Sequence, residues 1–276
     1  MSAAVIVPTG ANVTLSGLFA GFAANSSGLI TVNGGNITTT NPQSQYYIGF
    51  NGSGTLNVSA GGTVFSASQS HVGDNPGSSG VLTVAGEGSM YTNAGFFIVG
   101  NSGPAQLSVT NGGAVSSSSG TLQIGGGSTA TAVVSGAGST LSAGTCLGVG
   151  VSPGSVGMLT ITDGGRPTSG SGTYLAFNGA SGGLPPSAGT IVVSNGGGLL
   201  TSPLLVIGSS GTADLQIKSN GTVTISGKTI VGAIAGTSSL EISGPGASGA
   251  TSVSATPGEL PLTAGLALSE SRYGSL

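Results

Sequence analysis

Seven carboxylates, four basic side chains, one histidine and one cysteine are the reactive inventory of this 276-residue chain. The acids are Asp74, Glu87, Asp163, Asp214, Glu241, Glu259 and Glu270. Glycoside hydrolysis needs two carboxyl groups about 5–10 Å apart, so any catalytic reading depends on a fold that pairs two of these. Asp163 precedes a glycine in a slot it shares with asparagines, which reads as a turn former. Asp214, Glu241, Lys218 and Lys228 make the densest charge cluster and read as a solvated surface near one end. His71 precedes the apolar Val72 of a strand and so points outward, with no second histidine to share a metal. Cys146 is alone, which leaves neither a disulfide framework nor a paired-cysteine metal site. Gly125-Gly126-Gly127 is followed by neither lysine nor helix and is no phosphate loop. The glycine–aspartate nonapeptide that binds calcium in some β-solenoids does not occur. The expectation is a non-enzyme: no catalytic residue, no cofactor, no metal.

Composition narrows the classes further. The chain has 55 glycines and 12 prolines, together about a quarter of its length, yet only 4% of its residues are charged. Mean hydropathy is positive at +0.38, which argues against charge-driven disorder. Four basic residues and a net charge of −3 cannot build a phosphate-binding surface, so nucleic acid is excluded as a partner. No apolar run reaches the ~18 residues that would span a bilayer, so no transmembrane segment is expected. The opening MSAAVIVPTGANVTL has neither the basic start nor the apolar stretch of an ordinary secretory signal.

The elements that must position these residues are written in a repeat. A unit of aliphatic–x–aliphatic, small residues, glycine and a further aliphatic recurs as LITVNGGNI (29–37), LNVSAGGTV (56–64), LSVTNGGAV (107–115) and LQIKSNGTV (215–223). Its anchors are Val7, Val32, Val58, Val84, Val109, Val134, Ile161, Val193, Ile217 and Ile242, spaced 24–27 residues apart except for one interval of 32. A second apolar column runs Val13, Ile37, Val64, Met90, Val115, Leu141, Pro167, Leu199, Val223. A third runs Phe22, Ile48, Val72, Val99, Ile124, Val149, Phe177, Ile207, Val231. Alternation within each short run puts every second side chain inside. Runs this short bury a face only when stacked on the runs above and below. The pattern predicts an all-β, right-handed parallel β-helix (β-solenoid) of about ten coils of ~25 residues, with three short strands per coil. At the ~4.8 Å strand spacing the rod is about 45–50 Å long.

Turn residues fit the same frame. Asn33, Asn111, Asp163, Asn195 and Asn220 fall at the first corner and are each followed by glycine, which supplies the positive φ of a sharp turn. Stacked, they are expected to form a corner ladder of side-chain hydrogen bonds. Asn25, Asn51, Asn75 and Asn178 suggest a second ladder after the third strand.

Segments such as GTLNVSAGGTV (54–64) and VVSGAGSTL (133–141) resemble the passenger-associated strand repeats of bacterial autotransporters, over roughly residues 5–243. The resemblance implies a right-handed β-helix located extracellularly or at the bacterial cell surface. It departs from that family in one respect: no C-terminal segment reads as a transmembrane barrel.

The reading that follows is a non-catalytic structural or adhesive module, with a β-solenoid domain over 1–243 and a C-terminal cap or tail over 244–276. The repeat begins at once, which places an assembly edge at Val5, Val7 and Val13 and predicts end-to-end self-association. Tyr47, Ile98, Val206 and Ile230 are expected to form an outward apolar contact stripe, covered by the tail 258–276 or by another molecule. The long interval predicts a loop leaving the coil within NGASGGLPPSAG (178–189). Two alternatives stay open: a carbohydrate-active or carbohydrate-binding β-helix, with surface glycans as ligands, and an ice- or surface-binding solenoid. For the last, the outward row Thr31, Asn57, Thr83, Ser108, Val133, Thr160, Val192, Gln216, Glu241 is an irregular array.

Overall fold

The computed structural model describes residues 1–43, 45–201, 204–234, 236–248 and 253–255. These form an all-β parallel solenoid with no helix among them. Three parallel sheets run along its length. The first has ten strands, from Ser2–Pro8 to Ser238–Ser243. The second has nine, from Asn12–Leu15 to Thr222–Ile225, and the third ten, from Leu18–Ala20 to Val253–Ala255. Each of the first nine coils gives one strand to each sheet, and the last gives one to the first and third, consistent with the right-handed β-helix expected. Nine steps between the first and last strands of the first sheet make a rod of about 43 Å.

The anchors form one unbroken ladder. Val7 lies opposite Val32, followed in register by Val58, Val84, Val109, Val134, Ile161, Val193, Ile217 and Ile242. All are buried except Ile242, which is half-buried in the last coil. Parallel register is fixed here because a slip of one residue would turn every valine outward.

The other two columns need correction at three positions. Tyr91, not Met90, pairs with Val64 and Val115 and is fully buried, whereas Met90 is exposed. The corner before it carries two glycines with positive φ, Gly86 and Gly88, and is one residue longer than its neighbours. Ala20, not Phe22, pairs with Ile48, and Leu175, not Phe177, pairs with Val149 and Ile207. In both cases the inward residue directly precedes the left-handed position that ends the third strand, Gly21 and Ala176, as Ile48 precedes Gly49.

At the first corner, Asn111, Asp163 and Asn195 have φ near 50° and are followed by glycines of positive φ. The amide three residues past the strand end closes each turn, as in Gly113 to Thr110 O at 3.0 Å. Two positive-φ central residues define a type I′ turn. Asn220 sits one position later than these, after Ser219, and Asn33 is still on its strand, paired with Ser59. The expected corner ladder does not form: no hydrogen bond joins any two of the five side chains. Ala60, Gly86 and Gly136 interrupt the slot between Asn33, Asn111 and Asp163, and where Asp163, Asn195 and Asn220 do follow on consecutive coils the bonds are backbone ones, Asn195 N to Ser219 O at 2.7 Å and Gly196 N to Asn220 O at 3.2 Å. Asn33 instead accepts from Ser59 Oγ at 3.4 Å and Asp163 from Ser135 Oγ at 3.1 Å. Side-chain ladders occur elsewhere, at Asn12–Asn36–Thr63 and, after the third strand, at Asn51–Asn75. Asn178 joins the second site only through the Val151 carbonyl at 2.7 Å.

The boundary drawn at 243/244 also moves. Thr222 bridges Ser248, and the strand Val253–Ala255 pairs with Lys228–Val231, so the chain beyond 243 continues the last coil. The remainder of the predicted tail, with Glu259 and Glu270, lies outside the described residues. The expected loop is present: residues 180–186 are exposed, while Asn178 and Ser187 close its neck through Ser187 N to Asn178 O at 2.9 Å.

Candidate functional site: the coil ends and the outer face of the third sheet

Asp214 and Glu241 lie on the outer side of the first sheet, where Asp214 accepts from Ser239 Oγ at 2.6 Å and from the Gln216 amide. Lys228 belongs to the third sheet, so the cluster read from sequence is split between two faces. Among the described residues no group of three His, Cys, Asp or Glu side chains is placed to hold a metal. One contact was not suggested by sequence spacing: His71 Nδ1 lies 2.7 Å from Asp74 Oδ1. Asp74 is buried and its Oδ1 also accepts from Asn101 Nδ2 at 2.9 Å. Burial pulls the His71 pKa below 6.5 despite that carboxylate, which acts in the opposite direction.

His71 belongs to a continuous outward column on the third sheet: Phe19, Tyr47, His71, Ile98, Gln123, Gly148, Tyr174, Val206 and Ile230. The expected stripe residues Tyr47, Ile98, Val206 and Ile230 therefore do share one row. They are less open than alternation implied, since Val206 is 5% exposed and the other three are half-buried. The open apolar surface here is aromatic instead. Phe19 stacks on Tyr47 at 5.1 Å, and Phe22 and Phe50 pack against both ends of that pair. The signal available in sequence was the short spacing of Phe19, Phe22, Tyr47 and Phe50, one coil apart. What was missed in the interior is polar: Asn93 is fully buried, donates to the Gly95 and Phe96 carbonyls, and accepts from Ser70 Oγ at 2.6 Å.

The two coil ends complete the candidate surfaces. The strand Ser2–Pro8 has a partner on one side only, and Val5 and Ile6 are 55% and 69% exposed. Val7 is already buried by its own coil, and Val13 is half-buried. Core residues left partly covered are Ala11, Val13 and Leu15 in the first coil and Leu240, Ile242 and Ala247 in the last. The core between them is closed.

No family model matches this chain, and no curated protein or solved structure resembles it at a significant level.

Proposed function

We propose that this chain is a non-catalytic structural solenoid, extracellular or on a bacterial cell surface, that lengthens by stacking its last coil on the first coil of a second copy. The observation that carries the reading is the distribution of half-covered core side chains, confined among the described residues to the first and last coils. A second copy covers both at once, extending the first sheet and continuing the column of Ile242 onto Val7. Such an interface is heterologous and has no closure, so it makes a filament. A net charge of −3 opposes it only weakly. An adhesive or display role is compatible with the same rod.

Light scattering and negative-stain microscopy of the purified chain test it. Rods should lengthen with concentration, and a Val5→Lys/Ile6→Lys variant with unchanged circular dichroism should stay monomeric. A wild-type chain that is monomeric at high concentration overturns the proposal. So does turnover of any polysaccharide in a panel.

A further inference from the structure

One place on the outer column of the third sheet lacks a side chain. Gln123, Gly148 and Tyr174 are consecutive rungs, so the glycine leaves its two neighbours about 9–10 Å apart along the rod axis. Where outward rings are a single rung apart they touch, as Phe19 and Tyr47 do at 5.1 Å. Val151 covers the Gly148 rung from the side, and between it, Gln123 and Tyr174 the surface stays concave. The result is an open cavity of about 320 Å³. Val151 forms its floor, close enough that a Cβ on Gly148 would lie 2.6 Å from Val151 Cγ2. Phe177 meets Tyr174 edge-on at 5.6 Å and makes the far wall a rigid corner. Cys146 lines one side, its thiol held neutral because burial pushes its pKa up.

The chemistry of the lining restricts the occupant. No charged residue contributes, so an ionic ligand would lose hydration with nothing to pair it. The walls are apolar, yet the mouth is open and carries hydrogen-bonding groups that are not spent internally. Neither the Gln123 amide nor the Tyr174 hydroxyl hydrogen-bonds to any described residue. A ligand that fits is flat, neutral, apolar on its faces and hydroxylated at its edge. That describes a pyranose ring. The same residue classes recur at another concavity of this sheet face, where the stacked Phe19 and Tyr47 are bordered by Gln43, Gln45 and Ser16.

We infer that the outer face of the third sheet binds a neutral glycan, with a hexose seated in the Gly148 gap, stacked on Tyr174 and hydrogen-bonded by Gln123. This inference is independent of end-to-end stacking, which uses the coil ends and not this face. Isothermal titration with neutral hexasaccharides (a β-glucan, a mannan and a chitin fragment) tests it, alongside saturation-transfer NMR on the tightest of the three. At least one should bind, with the strongest saturation on its ring C–H protons. Tyr174→Ala and Gln123→Ala should each weaken binding tenfold or more while Ile98→Ala, on the same column outside the gap, leaves it unchanged. Circular dichroism and melting of all three variants should match wild type. No binding by the folded wild-type chain sinks the inference. Binding that survives both Tyr174→Ala and Gln123→Ala but is lost in Tyr47→Ala moves the site away from the gap and equally overturns it.

Discussion

Gly49 and Gly61 share a left-handed backbone, with φ of 81° and 76°, but they answer to different constraints. A methyl group on Gly61 meets nothing within 4 Å, so Gly61→Ala carries only the intrinsic cost of that conformation, about 1–2 kcal/mol. A methyl on Gly49 would collide with the carbonyl oxygen of Ser79 in the next coil, which cannot move without breaking the ladder. Gly49→Ala should therefore cost upward of about 4 kcal/mol, read as a shift of the denaturant midpoint. Equal losses at the two positions would show that coil contact adds nothing to the turn conformation. His71 offers a second test at this scale. Its pKa is lowered from 6.5 by burial, so the unfolded chain takes up a proton at a higher pH than the folded one. Its contribution is complete above about pH 6.5 and is lost as pH falls through the depressed folded value. Melting temperature should drop more steeply between about pH 7 and 5 in the wild type than in His71→Gln. Parallel curves would mean the imidazole is not held neutral by the fold.

The loop at 180–186 shows how an element can be longer than its site requires. Its neck, Ser187 N to Asn178 O, is the same closure that Ser78 N makes to Asn75 O at 3.0 Å around the two-residue turn Pro76-Gly77. Deleting Ser181–Pro186 and combining the deletion with Ala180→Gly leaves two glycines between Asn178 and Ser187, a turn of that same length. The melting temperature should hold or rise slightly, since a shorter loop lowers the closure entropy by about 1 kcal/mol. Loss of folding would instead show that the Gly154 N to Pro185 O bond is needed to seat the coil. That this segment departs from the coil was legible, because the interval from Ile161 to Val193 broke the period and its prolines could not join a ladder. The strands were legible for the same reason: ten anchors landed in one register. Met90 was misplaced because a Gly-x-Gly corner adds a residue, and GEG at 86–88 looks like any other glycine pair until its length is counted. Phe22 and Phe177 were misplaced because size outranked position. The inward slot is set by the left-handed residue that follows it, and there Ala20 is preferred to a phenylalanine two residues on. The contact between His71 and Asp74, three residues apart, depends on how the corner after the third strand turns, and the gap at Gly148 depends on which side chains coil stacking brings together.

At the scale of the whole molecule, each coil touches only the coil above and the coil below, so stability accumulates along a line. Interior coils are supported from two sides and terminal coils from one. The half-buried residues of the first and last coils are the visible consequence: Val13 and Leu15 at one end, Leu240 and Ile242 at the other. Local opening should therefore start at the ends, with a free energy that rises toward the middle. In hydrogen exchange at low concentration, amides of Ser2–Pro8 and Ser238–Ser243 should exchange fastest, and those of Ala105–Thr110 and Thr129–Ser135 slowest. Stacking of copies changes only the terminal terms of that line, because a second copy supplies the missing neighbour to both ends and nothing to the centre. Raising the concentration should then protect the two terminal strands by tenfold or more while the central strands keep their rates. A Val5→Lys/Ile6→Lys chain should keep the low-concentration profile throughout, since the charges cannot be buried against a second coil without a partner. Terminal protection that ignores concentration would remove the second copy from the account. A profile that is flat from end to end would remove the nearest-neighbour description itself, because it would mean the rod opens as one cooperative unit.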